Sequence, residues 1–401
     1  MLLNSSIAAV VLIVALGLFM PQVRRSSTWR AVTTPLASII GSGFLVLGPL
    51  LTVAYGDYAP LAMAALCVGA YLYGAAIRYN MAAIDARADT AADTGLQRNL
   101  EVAASWLLGF AYIISVAYYL NLLGSFGVSL TGFDQPIYAK LLTSIVYAII
   151  LLVGWTLGFK SLERMEYVSV TAKLAIIAGL LLGLLVFFYG KASNGGLIFN
   201  APTQTGLSAL TLAFGLIVTV QGFETSRYLG ADYDAKTRIR SMRWSQWVST
   251  AIYMIYILLA AYVFERSQFK LSETAIVDMM AVVAPILPAL LVAAALAAQF
   301  SAAIADTSGS GGLFAELSSN RITPPVAYAV LTAVGLVLTW TADVFEIISY
   351  ASRAFALYYA LQALIAVLHA RDQGQRRRGL GFAALAVLGV LIVIFGQSVE
   401  A

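Results

Sequence analysis

The sequence predicts an all-α integral membrane protein, because apolar runs of about 20 residues recur along it and a helix of that length crosses a bilayer core. Hydrophobic residues make up 61% of the 401 residues and charged residues only 11%. Transmembrane strands would need short segments that alternate apolar and polar side chains, whereas these runs are apolar on every side. The runs predict twelve spans, near residues 2–20, 31–54, 59–79, 102–127, 138–158, 166–189, 207–230, 245–264, 277–305, 326–341, 344–369 and 380–396.

The spans divide the chain into three regions, and the connections between them are too short for a soluble domain. Residues 1–30 are predicted to form an extra N-terminal helix and a basic cytoplasmic link, and residues 371–401 a basic loop and a C-terminal helix. Residues 31–370 hold ten spans, which divide into repeats at 31–190 and 207–370. Many secondary transporters consist of two such halves in inverted orientation, with the substrate bound where the helices are interrupted.

Basic residues predict the orientation of the chain, because short cytoplasmic loops retain Lys and Arg. Of the 24 basic residues, seventeen fall on one face, four on the other and three within spans. No basic residue precedes the first apolar run, and Arg24 and Arg25 follow it, which predicts an N-terminus outside and a retained peripheral helix. A cleaved secretory signal is the alternative, although such signals normally have their basic residues first. We expect a multi-pass protein of a bacterial-type inner membrane, in contact with lipid, and its net charge of +4 requires no nucleic-acid partner.

The first span of each half contains a polar, glycine-containing interruption. Gly41-Ser42-Gly43 lies in the middle of span 31–54, and Gln221-Gly222 lies near the centre of span 207–230. A helix that opens inside a membrane is tolerated only where it lines a cavity or a ligand, since lipid cannot satisfy the freed backbone groups. The two interruptions therefore predict a small-molecule binding site in the middle of the membrane.

Two motifs at these interruptions resemble those of a known family. Ile39–Phe44 resembles the first-helix signature of the amino acid, polyamine and organocation (APC) superfamily of transporters, in which GSG follows aliphatic residues. Gly222-Phe223-Glu224, followed by Gly230 and the basic run Lys236–Arg243, is similar to the sixth-helix pattern of that family. The resemblance implies a LeuT-type bundle of five plus five helices in inverted repeats, here with about two additional helices.

Two further stretches bear on the resemblance. Lys173-Leu174 resembles the lysine-leucine pair of the fifth helix in that family. The eighth-helix stretch Ala305–Leu313 departs from the family pattern, because it is richer in glycine and acid. This departure predicts an outlying subgroup whose substrate need not be an ordinary amino acid.

The resemblance implies that the first interruption binds a substrate carboxylate. The backbone amides of Ile40, Gly41, Ser42 and Gly43 would point at the carboxylate, helped by the positive end of the half-helix that follows. The alternative is close packing between helices, for which small residues are common in membranes.

The second interruption is expected to receive the ammonium group of the substrate. Gln221, Gly222, Phe223 and Glu224 are the candidates, with Phe223 as a gating aromatic residue or as plain core. A buried carboxylate without a partner is costly, so Glu224 must be paired, protonated or near water. The alternative is that Glu224 makes a structural hydrogen bond to Arg227 one turn further on.

The third span offers candidates for the pocket around the substrate side chain, since this helix flanks the site in the resembled fold. They are Tyr118 and Asn121, beside Tyr112 and Tyr119. Aromatic residues are also ordinary packing residues of membrane helices, which is the alternative for each of them.

Lys173 is the candidate for coupling transport to protons. A lysine at the centre of a membrane helix costs about 2.5 to 3.5 kcal/mol, so it should have a compensating role. The resemblance implies that a lysine here occupies the region where sodium-dependent relatives hold an ion, and a buried lysine could exchange a proton during the cycle. Asp306, Thr307 and Ser308, expected at the end of a helix that begins near Val277, would share this role. A static pair between Lys173 and Asp306 is the alternative, and such a pair could itself be the coupling device.

Sodium is the alternative coupling ion. Oxygen atoms of Thr307 and Ser308, joined by the carbonyls of Ala37 and Ile40, could bind it, since hard cations prefer oxygen ligands. Lys173 would compete for the same oxygens, which favours proton coupling or sodium-independent exchange.

Together these features predict a secondary active transporter that moves an amino acid or a related small amine by alternating access. The alternatives are a sodium-coupled symporter of another small organic solute and a non-transporting sensor of the same fold. A channel would need a ring of charges or a repeated filter sequence, and neither appears in the sequence. An enzyme would need a catalytic set that a single histidine, His369, and a single cysteine, Cys67, do not provide. No cofactor is expected, and the oligomeric state is left open.

Overall fold

The computed structural model describes residues 2–87, 95–156, 160–229 and 233–398, without the side chains of 42, 86–87 and 160–167. All regular structure in these ranges is helical. The α-helices are α1 Leu2–Phe19, α2 Pro21–Arg24, α3 Ser27–Ile39, α4 Ser42–Tyr55, α5 Ala59–Arg87, α6 Gly95–Val128, α7 Pro136–Thr156, α8 Lys160–Ser193, α9 Gly206–Gly215, α10 Ala235–Ala260, α11 Ala275–Val283, α12 Leu287–Leu317, α13 Pro324–Thr341, α14 Val344–Asp372 and α15 Arg376–Phe395.

The all-helical membrane class is confirmed. Within the described ranges, nine helical stretches are long and apolar enough to cross a membrane. This number is smaller than twelve for two reasons. The predicted spans 31–54 and 59–79 join into one apolar stretch, Gly43–Asp85. The predicted spans 207–230 and 245–264 fall short because the first is broken into pieces and the second belongs to α10, whose first half carries several basic residues.

The predicted span 277–305 is wrong, because it joins two separate helices. Helix α11 ends at Val283, Ala284 is extended with φ −159° and ψ 136°, and α12 begins at Leu287. Pro285 accounts for the break, since a proline disfavours the helical conformation of the residue before it. Asp306, Thr307 and Ser308 therefore lie in the interior of α12 and not at its end.

The predicted span 207–230 is correct in position, and it is interrupted near its centre as the sequence predicts. Helix α9 is followed by a short 3-10 helix at Ile217–Val220, an extended residue at Gln221, and a second 3-10 helix at Phe223–Tyr228. Gly222 joins these pieces with φ 115°, a conformation that costs little only for glycine. This whole segment, 217–228, is called here the second break.

The packing of the helices places both interruptions at the centre of the bundle. Helix α6 packs extensively against α12 and α14, and α10 packs against α3 and α5. The second break contacts α3, α4, α5, α10 and α14. Helix α1 lies on the outside of the bundle against α8, where Ile7 and Val11 approach Gly179. The second break thus lies among five helices of the described part of the chain.

Candidate functional site

The first break separates α3 from α4. Ile40, with φ −84° and ψ 61°, ends α3, and Gly41, with φ −103° and ψ −123°, precedes α4. The amide of Ile40 still bonds to the carbonyl of Leu36, whereas the start of α4 receives no cap from a described side chain. The first N–H groups of a helix have no partner within it, so the start of α4 has donors to offer. The side chain of Ser42 and the whole of Gly230 lie outside the described residues.

Glycines of the two breaks pack against each other reciprocally. A Cβ atom added to Gly43 would lie 2.1 Å from the carbonyl oxygen of Thr219 in the second break. A Cβ atom added to Gly222 would lie 2.5 Å from Ser38 Oγ and 2.7 Å from the amide nitrogen of Ile39 in α3. Only residues without a side chain allow the two backbones to come this close. Close packing therefore explains why position 43 is a glycine in this structure. A ligand could reach the backbone of Gly43 only if the two breaks moved apart.

Tyr253 of α10 joins the two breaks through one hydroxyl group. This hydroxyl lies 2.9 Å from the carbonyl oxygen of Ile39 and 2.9 Å from that of Thr219, and it donates its proton to either one. Both carbonyls come directly before an interruption, where the regular helix bonds end. Tyr253 is absent from the site residues predicted from the sequence, because nothing in the local pattern of α10 separates it from an ordinary packing residue.

We predict that Tyr253→Phe destabilises the protein, because it leaves two buried carbonyls without this donor. An unsatisfied buried polar group costs about 1 to 3 kcal/mol, so we expect a clear fall in the midpoint of thermal unfolding of the purified protein. Tyr256→Phe is the matched control, since Tyr256 is equally buried on the same helix and its hydroxyl has no hydrogen-bond partner among the described residues. Equal effects of the two substitutions would contradict a bridging role for Tyr253.

Glu224 is buried and bonds within the site. Its Oε2 atom accepts hydrogen bonds of 3.0 Å from the amide of Gly222 and 3.0 Å from the hydroxyl of Tyr359 on α14. The alternative of a hydrogen bond from Glu224 to Arg227 is wrong. The turn at Gly222 leaves the amide of Gly222 free to donate to Glu224, whereas the guanidinium of Arg227 bonds to other residues.

Arg227 belongs to a separate buried network. Its guanidinium forms an ion pair with Glu101 of α6 and donates to the side chain of Gln362 on α14. Asn80 of α5 donates to the backbone and side-chain oxygens of Gln362, at 2.8 Å and 2.9 Å. Arg238 donates to the backbone carbonyl of Arg227 at 2.6 Å. The network ties the end of the second break to α5, α6, α10 and α14.

Aromatic side chains surround the second break. Phe223 is buried and stacks on Tyr359 with a centroid distance of 5.3 Å, and Tyr359 stacks on Tyr73 at 5.1 Å. Gln221 donates to the hydroxyl of Tyr119 at 3.0 Å, and the rings of Tyr118 and Tyr119 lie 5.5 Å apart. Tyr119, and Tyr118 beside it, thus reach the predicted site from α6.

Asn121 does not join this group. Its amide donates to Ala117 at 2.8 Å and to Thr339 of α13 at 2.9 Å. It also lines a cavity of about 480 Å³ at the end of α6, together with Lys140, Glu273 and others. The side chain of Asn121 bonds to α13, one helical turn beyond Ala117, and its contact with a substrate stays a prediction.

Lys173 of α8 contacts the first break directly. Its ammonium group donates a 2.7 Å hydrogen bond to the carbonyl of Ala37 in α3. Lys173, Gly41 and Phe44 line a cavity of about 10 Å³, which has room for roughly one water molecule. The predicted contact between this lysine and the region of the first break is therefore present.

The residues of α12 are distributed differently from the prediction. Asp306 accepts a hydrogen bond from Ser115 of α6. A pair between Asp306 and Lys173 was the alternative suggested by the sequence. Thr307 donates to Ala303 of its own helix at 2.6 Å, and Ser308 is half-buried. The hydroxyl of Thr307 is thus engaged within α12, because threonine in a helix commonly bonds to the carbonyl four residues before it.

Arg353, a charged residue within α14 for which the sequence suggests no partner, also finds one. It donates to the carbonyl of Gly396 just beyond α15. The next residue, Gln397, contacts α9, because its amide donates to the carbonyl of Thr211 at 3.0 Å. Each contact joins residues far apart along the chain, so no local pattern indicates it.

The comparisons with known proteins agree with the geometry. A family model described as an APC superfamily transporter matches residues 21–396. A protein of Aquifex aeolicus (strain VF5), described as an uncharacterized protein, is 41% identical over 386 residues, which cover 95% of this chain and 93% of that protein. The resemblance seen in the motifs of the two breaks is confirmed by a match over nearly the whole chain. The chain belongs to the APC superfamily of transporters.

Proposed function

We propose that this transporter moves an amino acid or a related small amine by alternating access across a bacterial-type inner membrane, with its two halves arranged as inverted repeats. The observation that carries the proposal is the meeting of the two breaks. The amides at the start of α4 have no side-chain cap and would bind a carboxylate, and the unpaired oxygens of Gln221 and Glu224 would accept from an ammonium group. Donors and acceptors on opposite sides of one site suit a small molecule that carries both groups.

The proposed substrate site comprises the backbones of the two breaks and the side chains next to them. Its residues are Ile40, Gly41, Ser42, Gly43, Gln221, Gly222, Phe223, Glu224 and Tyr118. In this structure these groups pack against one another, as Gly43 does on Thr219. Binding then requires the breaks to part, and rocking of one group of helices against the other would supply that motion.

Lys173 is the proposed coupling group, with Asp306, Thr307 and Ser308 on the facing helix. The bond from its ammonium to Ala37 favours coupling to protons, or exchange without sodium, over a sodium-coupled cycle. Ala37 is among the carbonyls that a sodium ion would need, and a lysine ammonium and sodium cannot both occupy the same oxygen.

The test is uptake by purified protein in proteoliposomes, with the external pH and sodium varied separately. We expect uptake that rises as the external pH falls and that does not change when choline replaces sodium. Lys173→Ala should remove the pH dependence while the folded protein still binds substrate. Lys191→Ala, at the far end of the same helix, is the control and should behave as the wild type.

Two results would contradict the coupling role. Unchanged pH dependence in Lys173→Ala would exclude this lysine as the proton carrier. A strict requirement for sodium would transfer the coupling site to the oxygens of Ala37, Ile40, Thr307 and Ser308. A third result would contradict transport itself, since binding without any flux would indicate a sensor of the same fold.

A further inference from the structure

A short segment after α15 contacts α9, which is the first half of the broken span 207–230. The basic residues 376–378 begin α15 at the surface that the positive-inside rule predicts to be cytoplasmic. Helix α15 ends at Phe395, so residues 396–398 lie at the opposite surface, which is predicted to face outside. We call residues 396–398 the outer clasp.

The outer clasp packs on α9 with no space for a side chain between them. A Cβ atom added to Gly215 of α9 would lie 1.8 Å from the carbonyl oxygen of Gln397, 2.8 Å from its carbonyl carbon and 3.2 Å from its amide nitrogen. These are the three nearest atoms, so the outer clasp is what requires a glycine at this position. The amide of Gln397 donates to the carbonyl of Thr211 at 3.0 Å, and the Thr211 hydroxyl donates to Gln397 Oε1 at 3.0 Å. The outer clasp therefore holds the end of α9 that leads into the second break.

The outer clasp is itself fixed to α14. Arg353 of α14 donates to the carbonyl of Gly396 through two of its nitrogen atoms, Nε and Nη2. Helix α15 also packs closely on α14, because a Cβ atom added to Gly389 would lie 2.8 Å from the Cβ atom of Ala360. The position of the outer clasp is thus set by α14, and the outer clasp connects α9 to that helix.

Helix α9 is in turn bonded to α4, which follows the first break. The hydroxyl of Tyr55, at the end of α4, donates to the carbonyl of Ala209 at 2.6 Å. The amides of Thr203 and Gln204, just before α9, donate to the carbonyl of Ala54 at 3.0 Å and 2.9 Å. Helices α4 and α9 therefore form one unit, and a restraint on α9 restrains both.

Access from outside to the two breaks requires this unit to move, because α4 and α9 lie between the breaks and the predicted outer surface. The outer clasp, α4, α9 and α14 line a cavity of about 450 Å³. Ser352 of α14 donates to the carbonyl of Gly215 at 2.6 Å and accepts from the amide of Val218 at 3.1 Å. The outer clasp adds a second attachment to these direct bonds. Separation of α9 from α14 would break the bonds between Thr211 and Gln397.

We propose that the outer clasp is a latch that holds the outer side of the transporter closed and slows the entry of substrate from that side. The inference rests on the proposed function, because it assigns a regulatory contact to the same transport cycle. The outer clasp lies beyond both predicted repeats, 31–190 and 207–370. A change in it therefore alters the opening of the site without changing the groups that are proposed to bind substrate.

Two substitutions separate the outer clasp from α9 in different ways. Gly215→Ala places a methyl group against the backbone of Gln397, so α9 and the outer clasp must move apart. Gln397→Ala removes the acceptor of the Thr211 hydroxyl at an exposed position and leaves α9 itself unchanged. Gly381→Ala in α15 is the control, since a Cβ atom added there meets nothing within 4 Å.

Thiol labelling of intact cells from outside measures the opening. Leu216, directly after α9, is 2% exposed, so Leu216→Cys in a Cys67→Ala background should react slowly with a charged reagent that does not cross membranes. We expect Gly215→Ala to raise the labelling rate at least tenfold and Gln397→Ala to raise it at least twofold. Gly381→Ala should leave the rate unchanged.

Transport is measured as uptake of a radiolabelled mixture of the common amino acids into proteoliposomes, at concentrations well below saturation. The apparent affinity of a binding site rises in proportion to the fraction of protein that is open to the ligand. Initial uptake should therefore be faster in Gly215→Ala and in Gln397→Ala, in the same order as their labelling rates.

The outcomes separate this inference from the proposed function. Unchanged labelling in both variants would overturn the latch, because the outer clasp would then not restrain α9. Faster labelling without faster uptake, in a protein that transports, would overturn the latch and leave the transporter proposal intact. Faster labelling with no uptake even by the wild type would contradict the proposed transport and support the outer clasp as a restraint on α9. If Gly215→Ala does not fold, the comparison of Gln397→Ala with Gly381→Ala decides between these outcomes.

Discussion

Gly43→Ala is expected to destabilise the ligand-free protein and to abolish uptake. The added Cβ would lie 2.1 Å from the backbone carbonyl oxygen of Thr219, and 2.8 Å from its carbonyl carbon and Cα atoms. A flexible side chain could move aside, but this backbone is held by Tyr253 and by the short 3-10 helix around Thr219. Overpacking of this kind costs typically about 1 to 3 kcal/mol, so we expect a lower midpoint of thermal unfolding.

The control for Gly43→Ala is Gly312→Ala in α12. A Cβ atom at Gly312 meets nothing within 4 Å, and alanine is favoured over glycine inside a helix by about 1 kcal/mol. Stability should therefore be kept or slightly raised in this variant.

The same substitution separates the two interpretations of the GSG motif. If Gly43 serves the packing of the two breaks, stability falls even without substrate. If Gly43 serves only the approach of a ligand, the empty protein keeps its stability and loses only its affinity. Normal stability of Gly43→Ala together with lost binding would contradict the packing that we infer from Thr219.

The fold was largely predictable because apolar run length and helix length are directly related. The positions of both interruptions were also predictable, since glycine and polar residues inside an apolar run weaken a membrane helix at that point. The division between α11 and α12 was missed, because Ala284–Ile286 is as apolar as its flanks and only Pro285 marks the break. Apolar runs show which residues lie in the membrane, but they do not show where one helix ends and another begins.

The partners of the site residues were much less predictable. Lys173 bonds to a backbone carbonyl, which any residue at position 37 would offer, so no side chain signals the contact. Asp306 bonds to Ser115, 191 residues away in sequence. The alternative partner of Glu224 was its near neighbour Arg227, but the left-handed turn at Gly222 offers a backbone amide instead. Contacts set by tertiary packing or by an unusual backbone angle lie beyond what sequence spacing can predict.

Disruption of the ion pair between Arg227 and Glu101 is the second change from which we expect a large effect. Their side chains are 13% and 19% exposed, and they join the second break to α6. The pair lies towards the end of the bundle that the positive-inside rule predicts to be cytoplasmic. In a cycle of alternating access, the second break must separate from α6 for substrate to leave on that side. We therefore expect the pair to hold this side closed in the proposed cycle.

Glu101→Gln is expected to favour opening towards the cytoplasm. Removal of one partner from a buried pair costs about 3 to 5 kcal/mol, because the other charge is left uncompensated. Partial exposure and the bond from Arg227 to Gln362 should reduce this cost, so we expect about 1 to 3 kcal/mol. The double variant Glu101→Gln with Arg227→Met should recover part of the loss, since it removes both charges.

Thiol labelling can measure the opening directly. Ser226 is buried beside Arg227, so Ser226→Cys in a Cys67→Ala background should react slowly with a water-soluble reagent. Glu101→Gln should raise the labelling rate at least tenfold, which corresponds to about 1.4 kcal/mol in favour of the open state. Asp372→Asn removes the charge of the group that accepts a 2.8 Å bond from Gln97, between α6 and α14, and should leave the rate unchanged. If both variants raised the rate equally, the effect would reflect general loosening of these helices, and the ion pair would not be the closure of this side.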